Sequence, residues 1–224
     1  NISLKYFYES VQLLRGDKVK EYNDTKFILI SKAKIQHDIE QFQYLASLNY
    51  EPQKFNELSM IYKKISAEID WPSETQLIPL SNTHKSILKS NYNRLLHQVM
   101  TPKLKKKAVN NSLDVDEITK NYYDHEFGLT YIDNLLNSEA LRALKKFLLG
   151  STIWFDIKSN GYLGAYLTEG LANPLIIQIA DELRKKFPQI FKNYPINKIW
   201  AYKYNNQATN EDSSLKGINV HADF

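Results

Sequence analysis

Apolar residues recur at helical spacing in the first part of the chain. Within residues 25–48, a stripe with a period close to 3.6 residues is formed by Ile28, Ile35, Ile39, Phe42 and Leu45. Within residues 51–70, Pro52 stands near a helix start, and a second stripe is formed by Phe55, Leu58, Ile61, Tyr62 and Ile65. A third, weaker helical pattern covers residues 83–100. The spacing therefore predicts a helical N-terminal region over residues 1–120.

The helical pattern stops at "TPKLKKKAVNNSLDVDEI", residues 101–118. Pro102, two asparagines, a serine and the basic cluster Lys103–Lys107 predict an exposed loop or linker. The cluster can also be interpreted as a nucleic-acid patch, but the aromatic residues that such patches interleave with their lysines are missing. We therefore expect a solvated loop and no nucleic-acid partner.

After about Phe127 the pattern alternates between strand-like and helix-like segments. "FGLTYIDNLL" has the composition of a strand, and Asn137 or Ser138 can cap the helix predicted in "SEALRALKKFLLG". Gly150 can close this helix, and its shared face is predicted to carry Leu141, Leu144 and Leu148. "STIWFDI" and "GYLGAYL" are predicted to form strands around a glycine turn.

The clearest helix of the sequence is predicted in "NPLIIQIADELRKKFPQIF". Asn173 caps it, Pro174 occupies its first position and Pro188 helps to end it. Its buried stripe is predicted to be Ile176, Ala180, Leu183 and Phe187. Two more strands are expected in "NKIWAYKYNN" and "GINVHADF". The second half thus has the predicted order β-α-β-β-α-β-β, and the whole chain is expected to be α+β.

Composition excludes several functions without identifying one. The 224 residues are 43% hydrophobic with a net charge of +4, as is ordinary for a globular protein with a real core. The absence of cysteine excludes disulfides, thiolate zinc sites and cysteine nucleophiles. No apolar run approaches a membrane span, so we expect no membrane partner and a cytoplasmic location. Because the sequence begins with Asn1, we also expect it to be part of a longer polypeptide.

The candidate chemistry lies in the last strand-like segment, where one residue separates His221 from Asp223. Alternate side chains of a strand share a face, so these two project together, away from the apolar face of Ile218, Val220, Ala222 and Phe224. Imidazole and carboxylate are the ligands of a non-haem Fe(II) site, which a third ligand completes. A His-x-Asp also occurs often by chance on surface strands. The clean apolar face and the preceding aromatic strand favour the metal site.

From about Phe127 to Phe224 the chain resembles the Fe(II)/2-oxoglutarate-dependent dioxygenases, in their prolyl-hydroxylase-like branch. The resemblance is carried by "IWAYKYNN" and "NVHADF", which match the aromatic strand, loop and His-x-Asp motif of that family. "KIQHDIEQFQYL" and "YNRLLH" are similar to a bacterial subgroup with an N-terminal helical region. The resemblance implies that residues 121–224 form the first part of a double-stranded β-helix (a jelly-roll or cupin-like domain) with covering helices.

The resemblance also implies site residues. His221 and Asp223 match the first two Fe(II) ligands of the family. Tyr204 matches a tyrosine that hydrogen-bonds the far carboxylate of the co-substrate 2-oxoglutarate, and Tyr202 on the same face is the alternative. Trp200 shares this face and is expected to pack in the core.

The family also has a distal His ligand and a basic residue that pairs with 2-oxoglutarate, both on later strands than the 224 residues include. The other four histidines precede the motif, and none of them is expected to be the third ligand. Packing or capping roles in helices are expected for His37 and His97, and a solvent-exposed position is expected for His125.

These features imply an iron-binding oxidoreductase that hydroxylates a peptide or protein side chain or a small molecule. One alternative is a non-catalytic helical interaction protein that carries a degenerate or truncated cupin-like domain. Another is a metal-binding cupin-like protein with different chemistry. A His and a basic residue on later strands distinguish the oxygenase from both.

Overall fold

The computed structural model of the protein describes residues 2–16, 24–88, 90–158 and 161–204. This part of the chain is α+β, as predicted, with helices and two small antiparallel sheets. The helices are α1 (Ile2–Arg15), α2 (Thr25–Ile28), α3 (Lys32–Ser47), α4 (Pro52–Glu68), α5 (Asn82–Leu88), α6 (Val115–Asp124), α7 (Ser138–Gly150), α8 (Pro174–Lys186) and α9 (Pro188–Phe191). The strands are β1 (Leu29–Ile30), β2 (Ile78–Pro79), β3 (Asp156–Ile157), β4 (Leu163–Tyr166) and β5 (Trp200–Lys203).

These residues form two compact units, each assembled from separate chain segments. The α7/α8 unit contains described residues within 2–14, 97–151 and 166–199. The α3/α4 unit contains those within 15–96, 152–165 and 200–204. The predicted division into a helical region 1–120 and an oxygenase region 121–224 stays a prediction. It comes from the family resemblance, whereas the two units here are defined by their compactness. Within the described ranges, no helix is both long and apolar enough to cross a bilayer.

The α3/α4 unit has a core between its two long helices, and the predicted stripes form it. The buried side chains on the two helices include Ile35, Ile39, Phe42, Leu45, Phe55, Leu58, Tyr62 and Ile65. The Phe42 ring lies 5.0 Å from Tyr62, edge to face, and 5.8 Å from Phe55. Burial of each such side chain stabilises the fold by about 1.5–3 kcal/mol. The two stripes together therefore make a large contribution to the stability of this unit.

The first predicted helix is interrupted before α3. Leu29 and Ile30 pair with Pro79 and Ile78 as strands β1 and β2. The Ser31 hydroxyl then accepts from the Lys34 backbone N–H at 3.2 Å and starts α3 as its N-cap. The apolar spacing predicted one continuous helix here, but the Ser31 cap starts a new helix after the two residues of β1.

The third predicted helix is wrong beyond Leu88, where α5 ends. Asn93 has a positive φ of 56°, and its side-chain amide donates to the carbonyls of Lys26 and Phe155. These long-range hydrogen bonds override the weak helical pattern of the segment. The expectation that His97 lies in a helix is therefore also wrong.

The α7/α8 unit confirms two predicted caps. Asn137 and Asn173 side chains accept from the N–H groups of Ala140 and Ile176 at 2.8 and 3.0 Å. The buried face of α7 carries Ala140, Phe147 and Gly150, whereas Leu141 is exposed. On α8, Ile176 and Ala180 are buried as predicted, while Leu183 is only partly covered.

Two expectations for residues 101–136 are wrong in detail. Among its described residues, "FGLTYIDNLL" forms only an isolated bridge, Val109 to Leu136, instead of a strand. The predicted loop 101–118 overlaps the start of α6, where the Asp114 side chain accepts from the Glu117 N–H at 2.9 Å. This Asp-x-x-Glu spacing is an N-cap signal that the sequence interpretation missed.

Candidate functional site

The predicted iron ligands His221 and Asp223 lie outside the described residues, which end at Tyr204. The strand predicted to precede them is confirmed as β5, the last strand in the order β3-β4-β5. β3 and β4 pair antiparallel, with Asp156 opposite Gly164. Within residues 2–204, so far as they are described, no group of three His, Asp or Glu side chains is placed to hold a metal ion.

A cluster of three tyrosines lies beside β5: Tyr202 is in the strand, Tyr204 directly follows it, and Tyr162 directly precedes β4. The Tyr162 ring stacks on Tyr204 at 4.8 Å between centroids and meets Tyr202 edge to face at 5.0 Å. Tyr204 is 42% exposed, and its pKa is raised by desolvation and by the neighbouring Tyr162 and Tyr202. Its hydroxyl therefore stays protonated at neutral pH and can donate a hydrogen bond to an anion. Both predicted co-substrate tyrosines lie together in this tyrosine cluster.

Lys203, the residue between Tyr202 and Tyr204, points towards α3. The Lys203 ammonium group donates to Gln41 Oε1 on α3 at 3.2 Å and lies 5.4 Å from the Trp154 ring centroid. Desolvation lowers the pKa of Lys203 to about 8, against the opposing effect of Asp38 and Glu40. An ammonium over an indole face is a favourable cation–π arrangement. β5 therefore has a tyrosine face and a lysine face.

A buried charge cluster lies on α3 beside Gln41, and its three members are Lys34, Asp38 and His37. Lys34 Nζ contacts both carboxylate oxygens of Asp38, at 2.6 and 2.7 Å, with both side chains under 10% exposed. His37 Nδ1 is 3.0 Å from Asp38 Oδ1. Desolvation lowers the pKa of Lys34 and raises that of Asp38, but the positive charge of Lys34 and the hydrogen bonds from His37 and Lys34 together outweigh the latter effect and leave the Asp38 pKa lowered. The Asp38 carboxyl group is therefore ionised at neutral pH.

His37 is neutral in this cluster, because desolvation lowers its pKa to about 4. A neutral ring that donates Nδ1–H to Asp38 has an acceptor at Nε2, and this buried atom has no hydrogen-bond partner among the described residues. Asn93 Oδ1 is a second buried acceptor of the same kind. Both residues line a cavity of about 20 Å³, which is enough for one water molecule and too small for an organic substrate.

The remaining histidines do not assemble a metal site in the described part of the chain. His37 lies in α3, as predicted, and His125 is exposed, as predicted. His84 Nε2 lies 3.1 Å from Glu68 Oε2. His97 lies outside any helix.

Sequence reasoning missed Tyr162, Lys203 and the buried charge cluster. Lys34 and Asp38 are four residues apart on a helix, which is the spacing of an ion pair, and this signal was available. Lys203 alternates with Tyr202 and Tyr204, so strand periodicity alone places it on the opposite face. The contact of Tyr162 with Tyr202 and Tyr204 depends on strand pairing, which the sequence alone does not give.

Comparison of the chain with protein-family models, with curated proteins and with solved structures gives no match. The assignment of a function consequently depends on the chemistry of the His-x-Asp segment and on the residues that surround the strand leading to it.

Proposed function

We propose that the protein is an Fe(II)- and 2-oxoglutarate-dependent dioxygenase that hydroxylates a peptide or protein side chain or a small molecule. The proposal includes a jelly-roll domain, a cytoplasmic location and no nucleic-acid partner. The observation that supports it most is the tyrosine cluster beside β5, the paired strand that precedes the His-x-Asp segment in sequence. The family resemblance requires an aromatic strand with a hydroxyl donor at this place.

The residues proposed to hold Fe(II) are His221 and Asp223. Among the described residues, no group of three His, Asp or Glu side chains is placed to hold a metal ion. The distal His and the basic residue of the family are not assigned to any residue of this sequence. When bound, Fe(II) and 2-oxoglutarate supply the activation of dioxygen that the hydroxylation needs.

The tyrosines would bind and orient the co-substrate. The Tyr204 hydroxyl is protonated and half-exposed, so it is available to donate to the far carboxylate of 2-oxoglutarate. Tyr202 is the alternative donor, and the Tyr162 ring holds both tyrosines in place. No general base is required of these residues in this proposal.

The test is an anaerobic Fe(II) titration of the full-length protein, followed by measurement of succinate formed from 2-oxoglutarate. We expect His221→Ala with Asp223→Ala to weaken metal binding by more than about 100-fold, since loss of an outer-shell partner alone costs 10–100-fold. The matched control is His125→Ala with Asp124→Ala, an exposed His and Asp pair on the α6 end. Equal metal binding by wild type and the His221/Asp223 variant would contradict the proposal.

The two alternatives give different results in the same titration. A helical interaction protein with a degenerate domain binds no Fe(II), and 2-oxoglutarate is not consumed. A metal-binding cupin-like protein of other chemistry binds the metal through His221 and Asp223 but forms no succinate.

A further inference from the structure

We propose that Lys203 is a positioning residue that fixes which face of β5 carries Tyr202 and Tyr204. Its ammonium group is held between Gln41 of α3 and the Trp154 ring. The helical segment of the α3/α4 unit thus braces the strand that leads to the candidate ligands. The consequence for 2-oxoglutarate depends on the proposed function, whereas the consequence for the strand does not.

The contacts of β5 differ on its two faces, as strand alternation requires. Tyr202 and Tyr204 meet Tyr162, whereas Lys203 between them meets α3 and Trp154. A slip of one residue would exchange the faces of the whole strand. It would turn a tyrosine towards α3 and the lysine towards the tyrosine cluster.

Apolar packing does not distinguish the two arrangements well, because each tyrosine is itself largely apolar. A tyrosine in the place of Lys203 would still pack on Trp154, but it would lose the charge-assisted hydrogen bond to Gln41. The lysine on the tyrosine face would in turn lose both the amide oxygen and the nearby carboxylates. The polar contact therefore provides the specificity that packing lacks.

The charges around Lys203 support its present orientation. Asp38 and Glu40 act favourably on the ammonium group, and Lys34 acts unfavourably. Lys34 is in turn matched by Asp38 at 2.6 Å, while His37 beside them is neutral at pH 7. An ammonium on this face gains from the charges of these two carboxylates, and a neutral tyrosine hydroxyl would not.

A buried ammonium group is costly to desolvate, so its contribution to global stability is small. Lys203→Met removes the charge itself, and because its hydrogen-bond partner Gln41 is neutral, the substitution breaks no buried ion pair with that partner. Lys203→Met is therefore expected to leave the thermal midpoint unchanged or raised, and to loosen the orientation of β5. This combination separates a positioning role from a merely structural one.

The experiment compares Lys203→Met with wild type and with Lys198→Met, a control at an exposed lysine close in sequence. Amide hydrogen exchange is followed in residues 200–204, and the half-saturating 2-oxoglutarate concentration is measured separately from kcat. We expect about tenfold faster exchange and about tenfold weaker 2-oxoglutarate binding for Lys203→Met, from the loss of one charge-assisted hydrogen bond. Lys203→Arg keeps charge and donors and should restore much of both.

Unchanged exchange in β5 of Lys203→Met would overturn the proposal, whether or not the protein binds 2-oxoglutarate. Faster exchange with unchanged 2-oxoglutarate binding would overturn the role towards the co-substrate. If wild type binds no 2-oxoglutarate, the proposed function fails, and the exchange result alone decides the role of Lys203. Gln41→Met removes the acceptor from the helix side and provides the same test if Lys203→Met does not fold.

Discussion

The two units of the protein each contain a buried polar network, and the networks differ in chemistry. In the α3/α4 unit the network consists of charges, with Lys34, Asp38 and Lys203 beside the neutral ring of His37. In the α7/α8 unit, α8 presents Gln178 and Glu182 to the backbone of the loop before α6. The charged side chains of the first network titrate and depend on each other, whereas the Gln178 amide of the second does not titrate. The two units should therefore respond differently to pH and to substitution.

The largest effect is expected from removal of the carboxylate in the charged network. Asp38→Ala leaves the Lys34 ammonium buried without its counter-ion, and such a loss costs about 3–5 kcal/mol of unfolding free energy. Urea denaturation measures this loss, and Asp70→Ala at an exposed aspartate is the control. A cost below about 1 kcal/mol would show that the two networks do not differ as proposed.

The second prediction concerns acid, which distinguishes the networks directly. His37 has a pKa of about 4 in the folded protein and an ordinary value of 6.5, so the unfolded chain binds more protons between these pH values. Stability is therefore expected to fall as the pH decreases from 6.5 to 4, by about 3 kcal/mol at the lower end. His37→Gln should remove most of this slope, while His125→Gln should retain it. Equal slopes in the two variants would contradict the buried neutral state of His37.

The third prediction concerns the amide network. Gln178 Oε1 accepts from the Leu104 N–H at 2.7 Å, and Nε2 donates to the Lys106 carbonyl and to Glu182 Oε1 at 3.0 and 2.8 Å. Gln178→Leu leaves these backbone groups unsatisfied and should cost about 1–3 kcal/mol. Because the amide does not titrate, this cost should be the same at pH 5 and pH 8, as measured by urea denaturation. Gln189→Leu, at an exposed glutamine, is the control.

The elements that the sequence predicted well are those whose signals are local. The stripes of α3 and α4 and the caps of Asn137 and Asn173 depend on residues within one or two turns of a helix. The segment after Leu88 was wrong because the Asn93 amide reaches carbonyls more than sixty residues away in sequence. The same holds for the candidate site. The alternation in β5 was predictable, but its contacts to Tyr162, Gln41 and Trp154 depend on tertiary pairing that no local pattern contains.

The smallest effect is expected at Glu182, the one carboxylate of the amide network. Desolvation raises its pKa, but the hydrogen bonds from Val109 N–H at 2.9 Å and from Gln178 outweigh this and leave the pKa lowered. Its contribution is therefore present above the ordinary carboxylate pKa of 4.5 and is lost as the pH falls through the folded value. Glu182→Gln keeps an acceptor for Val109 but loses the charge and the second oxygen, which accepts from Gln178 Nε2, so it should cost about 1 kcal/mol at pH 7. The cost should shrink further at pH 4, where the wild-type carboxylate begins to protonate. A larger loss at pH 7 would mean that charge, and not backbone hydrogen bonding, also holds the α7/α8 unit together.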